Sequence, residues 1–186
     1  TGLNGNYTIN KAAAASSTNF TSFSSFASSL AANGVCGPVY VDVLNGPYNE
    51  QVTFNSYSGA SATNQVIING NNDTLRFAPI AAARFIVRFN GADNISIKNL
   101  NIRSTDPTYG WGVLLQNDAR QDSIVNCTID LRTVTSTTSS NSVGVVASNS
   151  LTTVSSIGNL AYETTIYGCT ILGGYEGIHF YGNTAT

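Results

Sequence analysis

A chain of 186 residues with eight Lys or Arg, ten Asp or Glu and a formal charge of −2 has room for one domain with a real core. It lacks the basic surplus that nucleic acid or an anionic membrane would attract. Charged residues are only 10% of the chain, Asn, Ser and Thr are roughly a third, and 42% hydrophobic content is too high for disorder, so the mixture suits repetitive β structure with frequent turns.

In chain order, Tyr7-Thr8-Ile9 reads as a strand, and the residues up to 18 are rich in Ala and Ser. The one helix is predicted over 19–33. There Phe20, Phe23, Phe26, Ala27 and Leu30 recur at spacings of three and four, with Thr18 or Asn19 as N-cap and Gly34 at the C-cap. Its Phe rings need an apolar surface, and the open end of a β stack is the natural one. From Val39 the pattern changes to period two, with Val39–Val43 as a strand and Asn45-Gly46-Pro47 as a turn. Gln51–Phe54, Gln65–Ile68 and Thr74–Phe77 continue the series.

An internal repeat then dominates. The segments 85–90, 112–117, 144–149 and 178–183 align without gaps on their closing residues Asn90, Asn117, Asn149 and Asn183, which lie 27, 32 and 34 residues apart. A second series, 97–102, 124–129 and 166–171, interleaves with the first, its third copy displaced by an insertion within 150–161. One unit has too few strands to bury its own apolar side, so the units must stack, each strand pairing in parallel with its copy ~4.8 Å away. Like residues then form columns. The gapless alignment places Val87, Leu114, Val146 and Phe180 inward, with Leu100, Cys127 and Cys169 as a second inward column. Asn90, Asn117, Asn149 and Asn183, with Asn99 and Asn126, are the expected structural ladder, because Asn tolerates the left-handed conformation and its amide reaches the copy above. Gly168 fits the position of Asn99 and Asn126 by allowing positive φ.

The strand–Asn–strand phrase at 97–102 and 124–129, and the opening from Gly37-Pro38-Val39 through Pro47–Thr53, resemble the right-handed parallel β-helix (pectin-lyase-like) family of pectate lyases, polygalacturonases and many bacterial adhesins. More narrowly, residues 20–183 resemble large secreted surface proteins of environmental gram-negative bacteria. The resemblance implies an all-β, right-handed single-stranded parallel β-helix of about five to six rungs with an N-terminal amphipathic capping helix. It would be a single domain over 1–186, with rungs over 39–183, forming the N-terminal part of a longer secreted or cell-surface protein.

In enzymes of that family the catalytic groups lie on the outer face of one sheet. Alternation places Ile86, Arg88, Val113, Leu115, Val145, Ala147, His179 and Tyr181 on the corresponding face, which carries no carboxylate. Calcium-dependent lysis or glycoside hydrolysis would need carboxylates there, so no catalytic residue is expected. The apolar strip calls for a cover, and the loops 131–142 and 150–161 are expected to supply it. Asp93, Asp118 and Asp122 read as solvated turn acids, and His179 has no partner beside it in sequence. Tyr109, Trp111, Tyr175, His179 and Tyr181 are the candidate ligand-binding set, since flat rings with a polar edge suit sugars. Asp73-Thr74-Leu75 and Asp122-Ser123-Ile124 match a short pattern resembling bacterial O-glycosylation sites. The widely spaced Cys36, Cys127 and Cys169 form no zinc motif, and no metal or cofactor is expected. Cys127 and Cys169 are expected on adjacent rungs as free thiols.

The leading expectation is a structural or adhesive module contacting polysaccharide or cell-surface glycan, without nucleic acid or membrane insertion, because no apolar run approaches ~20 residues. The alternatives are a non-catalytic front end of a polysaccharide lyase or glycoside hydrolase, and a module that self-associates through its open C-terminal rung.

Overall fold

A computed structural model of the protein describes residues 2–157 and 161–181. The chain opens with β1 (Leu3–Asn10), β2 (Asn19–Phe20) and the helix α1 (Phe23–Asn33). Five circuits of three strands follow. The first is β3 (Val35–Leu44), β4 (Tyr48–Asn49) and β5 (Val52–Asn55); the second is β6 (Val66–Asn69), β7 (Thr74–Phe77) and β8 (Phe85–Asn90). The third is β9 (Ile95–Lys98), β10 (Asn101–Ser104) and β11 (Gly110–Gln116); the fourth is β12 (Ser123–Val125), β13 (Thr128–Leu131) and β14 (Ser142–Ala147). The fifth is β15 (Thr165–Tyr167), β16 (Thr170–Gly173) and β17 (Glu176–Phe180).

Each circuit contributes one strand to each of three sheets, ordered β2-β1-β3-β6-β9-β12-β15, β4-β7-β10-β13-β16 and β5-β8-β11-β14-β17. Every ladder between these strands is parallel. The architecture is all-β and parallel, and the inward side chains of all three sheets share one core.

The helix is shorter than its sequence pattern predicts. Asn19 and Phe20 pair with Thr8 and Ile9 instead of starting the helix. The Asn19 side chain is already engaged: it accepts from Thr8 Oγ1 at 2.6 Å and donates to the Asn10, Ala13 and Ala14 carbonyls. Ser22 is the N-cap, in a reciprocal capping box with Ser25. At the other end Gly34 has φ 62°, as a C-cap requires, and its N–H bonds to Leu30 O. Phe23, Phe26, Ala27 and Leu30 face the core; Phe26 meets Phe54 edge-on, and Phe54 stacks on Phe89 at 5.8 Å. Phe23 meets Tyr48 edge-on at 5.3 Å.

Asn residues turn the corner between the first and second sheets. Asn99 and Asn126 both have φ 51°, and Gly168 at the next corner has φ 64°. Asn99 Nδ2 donates to Asn69 Oδ1 at 2.9 Å, and Asn69 Nδ2 donates to Asp42 Oδ1 at 3.0 Å. A second run links Asn117 to Asn90 and Asn90 to Asn55, the latter bond measuring 2.7 Å. It includes Asn55, absent from the expected ladder, and does not extend to Asn149, whose N–H bonds to Ser156 O at 3.2 Å. Asn183 lies outside the described residues.

The third sheet corrects the gapless alignment by one residue. Asn90 pairs with Gln116, not Asn117, and Arg88 pairs with Leu114. A one-residue slip reverses every side chain, so Val113, Leu115, Val145 and Ala147 point into the core and Leu114 and Val146 point outward. Gln116 lies outside the apolar core in this register, yet it is still buried, with its Oε1 unpartnered. Ile86 also points inward, directly before inward Val87. The equivalent residues Gly112 and Gly144 face inward too: a Cβ there would come within 2.4 Å of Ile129 Cγ2 and 2.8 Å of Ile171 Cγ2. Alternation therefore breaks once in each of β8, β11 and β14, and residues three apart share the outer face.

Leu100, Cys127 and Cys169 form an inward column, and all three cysteines are free thiols. Burial pushes the Cys127 thiol up to about 11.

The Glu50 carboxylate accepts from the Phe23 and Ser24 N–H groups at 2.8 and 2.9 Å and from Ser24 Oγ, which ties the start of α1 to the first circuit. Glu50→Ala is expected to cost about 1–2 kcal/mol, since it removes a charge-assisted cap at the positive end of the helix. The urea midpoint should fall accordingly, and an unchanged midpoint would remove the carboxylate from the account of the cap.

Candidate functional site

The outer face of the third sheet carries parallel columns. One runs Phe85, Trp111, Val143, Glu176, and the next runs Thr53, Arg88, Leu114, Val146, His179. Their middle members, Trp111, Leu114, Val143 and Val146, pack with Phe85 and Val154 into a second apolar cluster apart from the main core. The expected cover is present, although over different residues from those the alignment placed there. Leu151 and Val154 lie on the cluster, and Ser140, in the short helix Ser139–Asn141, accepts from Trp111 Nε1 at 3.0 Å. Arg84 fastens the same segment, donating to Ser140 O at 2.7 Å and Asn141 Oδ1 at 2.9 Å.

The five candidate ligand-binding residues divide into two groups. Trp111 is fully buried, so its ring is not offered to a ligand, and Tyr109 is half-buried with the Arg84 guanidinium 4.9 Å over its ring. Tyr175, His179 and Tyr181 belong to the last circuit, Tyr175 just before β17 and Tyr181 just after it, with both Tyr rings exposed.

At that end the face changes from apolar to polar. Gly177 and Ile178 are the last pair at the break in alternation: Ile178 pairs with inward Val145, and a Cβ on Gly177 would face Ile171. Glu176 and His179 therefore emerge side by side, with His179 Nδ1 2.5 Å from Glu176 Oε2. Ser155 Oγ lies 3.3 Å from His179 Nε2 on the opposite side of the ring. Ser155 is held from both flanks, since Ser148 Oγ donates to Thr153 O at 2.6 Å and accepts from Ser156 N–H at 3.3 Å. Buried Val154 anchors the segment in the apolar cluster. With the carboxylate on Nδ1, the proton belongs on Nδ1, and Nε2 presents its lone pair to the Ser155 hydroxyl. A hydroxyl on a ring nitrogen whose tautomer a carboxylate sets is an arrangement for removing the hydroxyl proton.

No known protein family, curated protein or solved structure matches this chain. The site therefore stands on its own geometry. Among the described residues, no three His, Cys, Asp or Glu side chains gather as a metal ion would require.

Of these three residues, His179 alone is legible in the sequence as a candidate. Glu176 is three residues before His179, a spacing that strict alternation puts on opposite faces, and Ser155 comes from the insertion, 24 residues before His179. The spacing Glu-x-x-His beside a Gly was the available signal.

Asp122 also departs from expectation. It is 1% exposed, in the inward position beside Ile95, whose N–H donates to its Oδ1 at 2.8 Å, and its Oδ2 is buried without a partner. Burial, and then the nearby charge of Asp93, push its carboxyl up to about 8. Asp93 accepts from Arg120 N–H through Oδ1 and from the Tyr57 hydroxyl through its carbonyl, and the Tyr57 hydroxyl is itself raised by burial. Next to Asp122, Ser123 Oγ shares a hydrogen bond of 2.7 Å with Ser96 Oγ, which half-buries the hydroxyl of the Asp122-Ser123-Ile124 pattern.

The folded chain holds the Asp122 proton up to about pH 8, whereas the unfolded chain releases it near 3.8. Stability should therefore fall as pH rises between those values, by at most about 1.4 kcal/mol per pH unit. Asp122→Asn keeps the bond from Ile95 and removes the titration, so urea midpoints of this variant should lose that downward slope. Parallel slopes in both proteins would show that Asp122 does not hold its proton.

Proposed function

We propose that this chain is a structural and adhesive module of a secreted or cell-surface protein, folded as a right-handed parallel β-helix of the pectin-lyase-like kind. The supporting observation is the fixed rotation of strands through three parallel sheets, whose last described circuit leaves its edge open. The strands β15, β16 and β17 are edge strands of all three sheets, with Ile178 51% and Phe180 47% exposed although both occupy inward columns. Unpaired strand edges above uncovered core favour a further parallel layer. A second copy of this chain has the chemistry to supply it.

Adhesive contact falls to the outer side of the same circuit. Tyr175 and Tyr181 are exposed rings at the two ends of the strand that carries the polar pair Glu176–His179, and this combination of flat apolar faces with polar edges suits a sugar. The other end is closed by α1, so growth of the stack has one direction.

Light scattering over a concentration series should show the chain self-associating. Phe180→Asp and Ile178→Asp should abolish the association while the circular dichroism spectrum keeps its β signature. A monomer at every concentration, with both variants folded and indistinguishable from the parent, would falsify the stacking role. Glycan binding on an array should be lost with Tyr175→Ala and Tyr181→Ala if those rings are the contact.

A further inference from the structure

We infer that Ser155, His179 and Glu176 form an acyl-transfer site, with Ser155 the nucleophile toward solvent-accessible carboxylic esters. The inference is independent of the stacking role and rests on three features of one constellation. First, Ser155 is exposed, so an ester carbonyl carbon has access to its Oγ from solvent. Second, that Oγ is 3.3 Å from His179 Nε2, within the range of a nucleophile–base contact that tightens when substrate binds. Third, Glu176 Oε2 lies 2.5 Å from His179 Nδ1, on the far side of the ring from the serine. The carboxylate fixes the ring tautomer and balances the positive charge the ring acquires.

The local build is rigid where the chemistry needs it to be. Glu176 and His179 project from one strand whose neighbour β14 pairs with it from Val143 to Ala147. Ser155 follows a buried anchor, Val154, and is flanked by two bonds to the single hydroxyl of Ser148. Loop and strand are thus referenced to the same residue segment, the end of β14. A merely decorative serine on a free loop would have no such tether.

Ser155 Oγ attacks the ester carbonyl carbon while its proton passes to His179 Nε2. The bond from that carbon to the alcohol oxygen breaks, and the alcohol leaves with the proton, so Ser155 carries the acyl group. Water then attacks the acyl carbon, giving one proton to Nε2. The Ser155–acyl bond breaks, Oγ recovers the proton, and a carboxylic acid is released. Ser155 and His179 are the catalytic residues, and Glu176 is a positioning residue acting through the ring.

Tyr175 and Tyr181 present exposed rings at the two ends of β17, the strand that carries Glu176 and His179, so the alcohol portion with the best fit is a sugar hydroxyl, and the substrate class is an O-acylated carbohydrate. This clause alone rests on the glycan contact proposed above. It is tested separately with acetylated and unacetylated sugars.

The nucleophile is tested first with a fluorophosphonate probe on the intact chain, read by mass spectrometry and peptide mapping. One adduct is expected, on Ser155, and none on Ser155→Ala. His179→Ala should slow labelling by about 100-fold or more. Added imidazole should restore part of the rate to His179→Ala, which no purely structural role of the ring would allow. Glu176→Gln should lower kcat for 4-nitrophenyl acetate with little change in KM, the signature of a lost positioning effect. Circular dichroism of each variant checks that β structure is retained. No adduct, an adduct elsewhere than Ser155, or labelling indifferent to His179→Ala in a folded variant would overturn the inference. Labelling of Ser155 with no deacetylation of sugars would retain the nucleophile and remove the sugar.

Discussion

Parallel pairing of each strand with its counterpart one circuit later is the constraint on which everything else in this protein depends. It satisfies the backbone of interior strands from both sides and forces like positions into columns. An apolar column becomes a continuous stretch of core, and polar side chains of successive circuits join in hydrogen-bonded runs such as Asn99 to Asn69 to Asp42. The same constraint creates a problem at the first circuit, where β5 begins its sheet without an earlier strand. The Phe face of α1 meets that need by packing Phe26 against Phe54, and Glu50 in the first circuit holds the helix start in place.

The break in alternation in the third sheet determines the outer face. Because two successive residues turn inward, the outer columns are spaced by three residues along the strand. In the third and fourth circuits this puts Trp111 with Leu114, and Val143 with Val146, in an apolar patch that the insertions seal. In the fifth it puts Glu176 with His179. The same backbone pattern thus yields a sealed patch or a polar pair, according to the side chains at those positions. Glycine at 112 and 144 is required because the neighbouring sheet's Ile129 and Ile171 fill the space a side chain would take.

Asp122 shows what a column does to a charge. Its inward place beside Ile95 was made for an apolar residue, and one hydrogen bond from the Ile95 N–H does not restore the solvation an ionised carboxylate needs. The group keeps its proton instead. Its neighbour Asp93 strengthens the effect, since two negative charges close together oppose ionisation of the more buried one.

The sequence by itself determined that the chain is β-rich and repetitive, that Phe23, Phe26 and Leu30 lie on one helix face, and that Asn99 and Asn126 turn corners. These features are carried by local propensity and by periods readable within a few residues. Tertiary structure alone decided the register of the third sheet, and with it which of Leu114 and Leu115 is inside. The reason is that both registers offer a run of apolar residues, and the pairing of Leu115 with Phe89 in the core is made only once the circuits stack. It also decided where the helix begins, because Asn19 is consumed by contacts with residues 8–14. The approach of Ser155 to His179 was equally invisible in the sequence. It depends on a loop anchored through Val154 and Ser148, and no local pattern encodes a contact made by folding an insertion back over a distant strand.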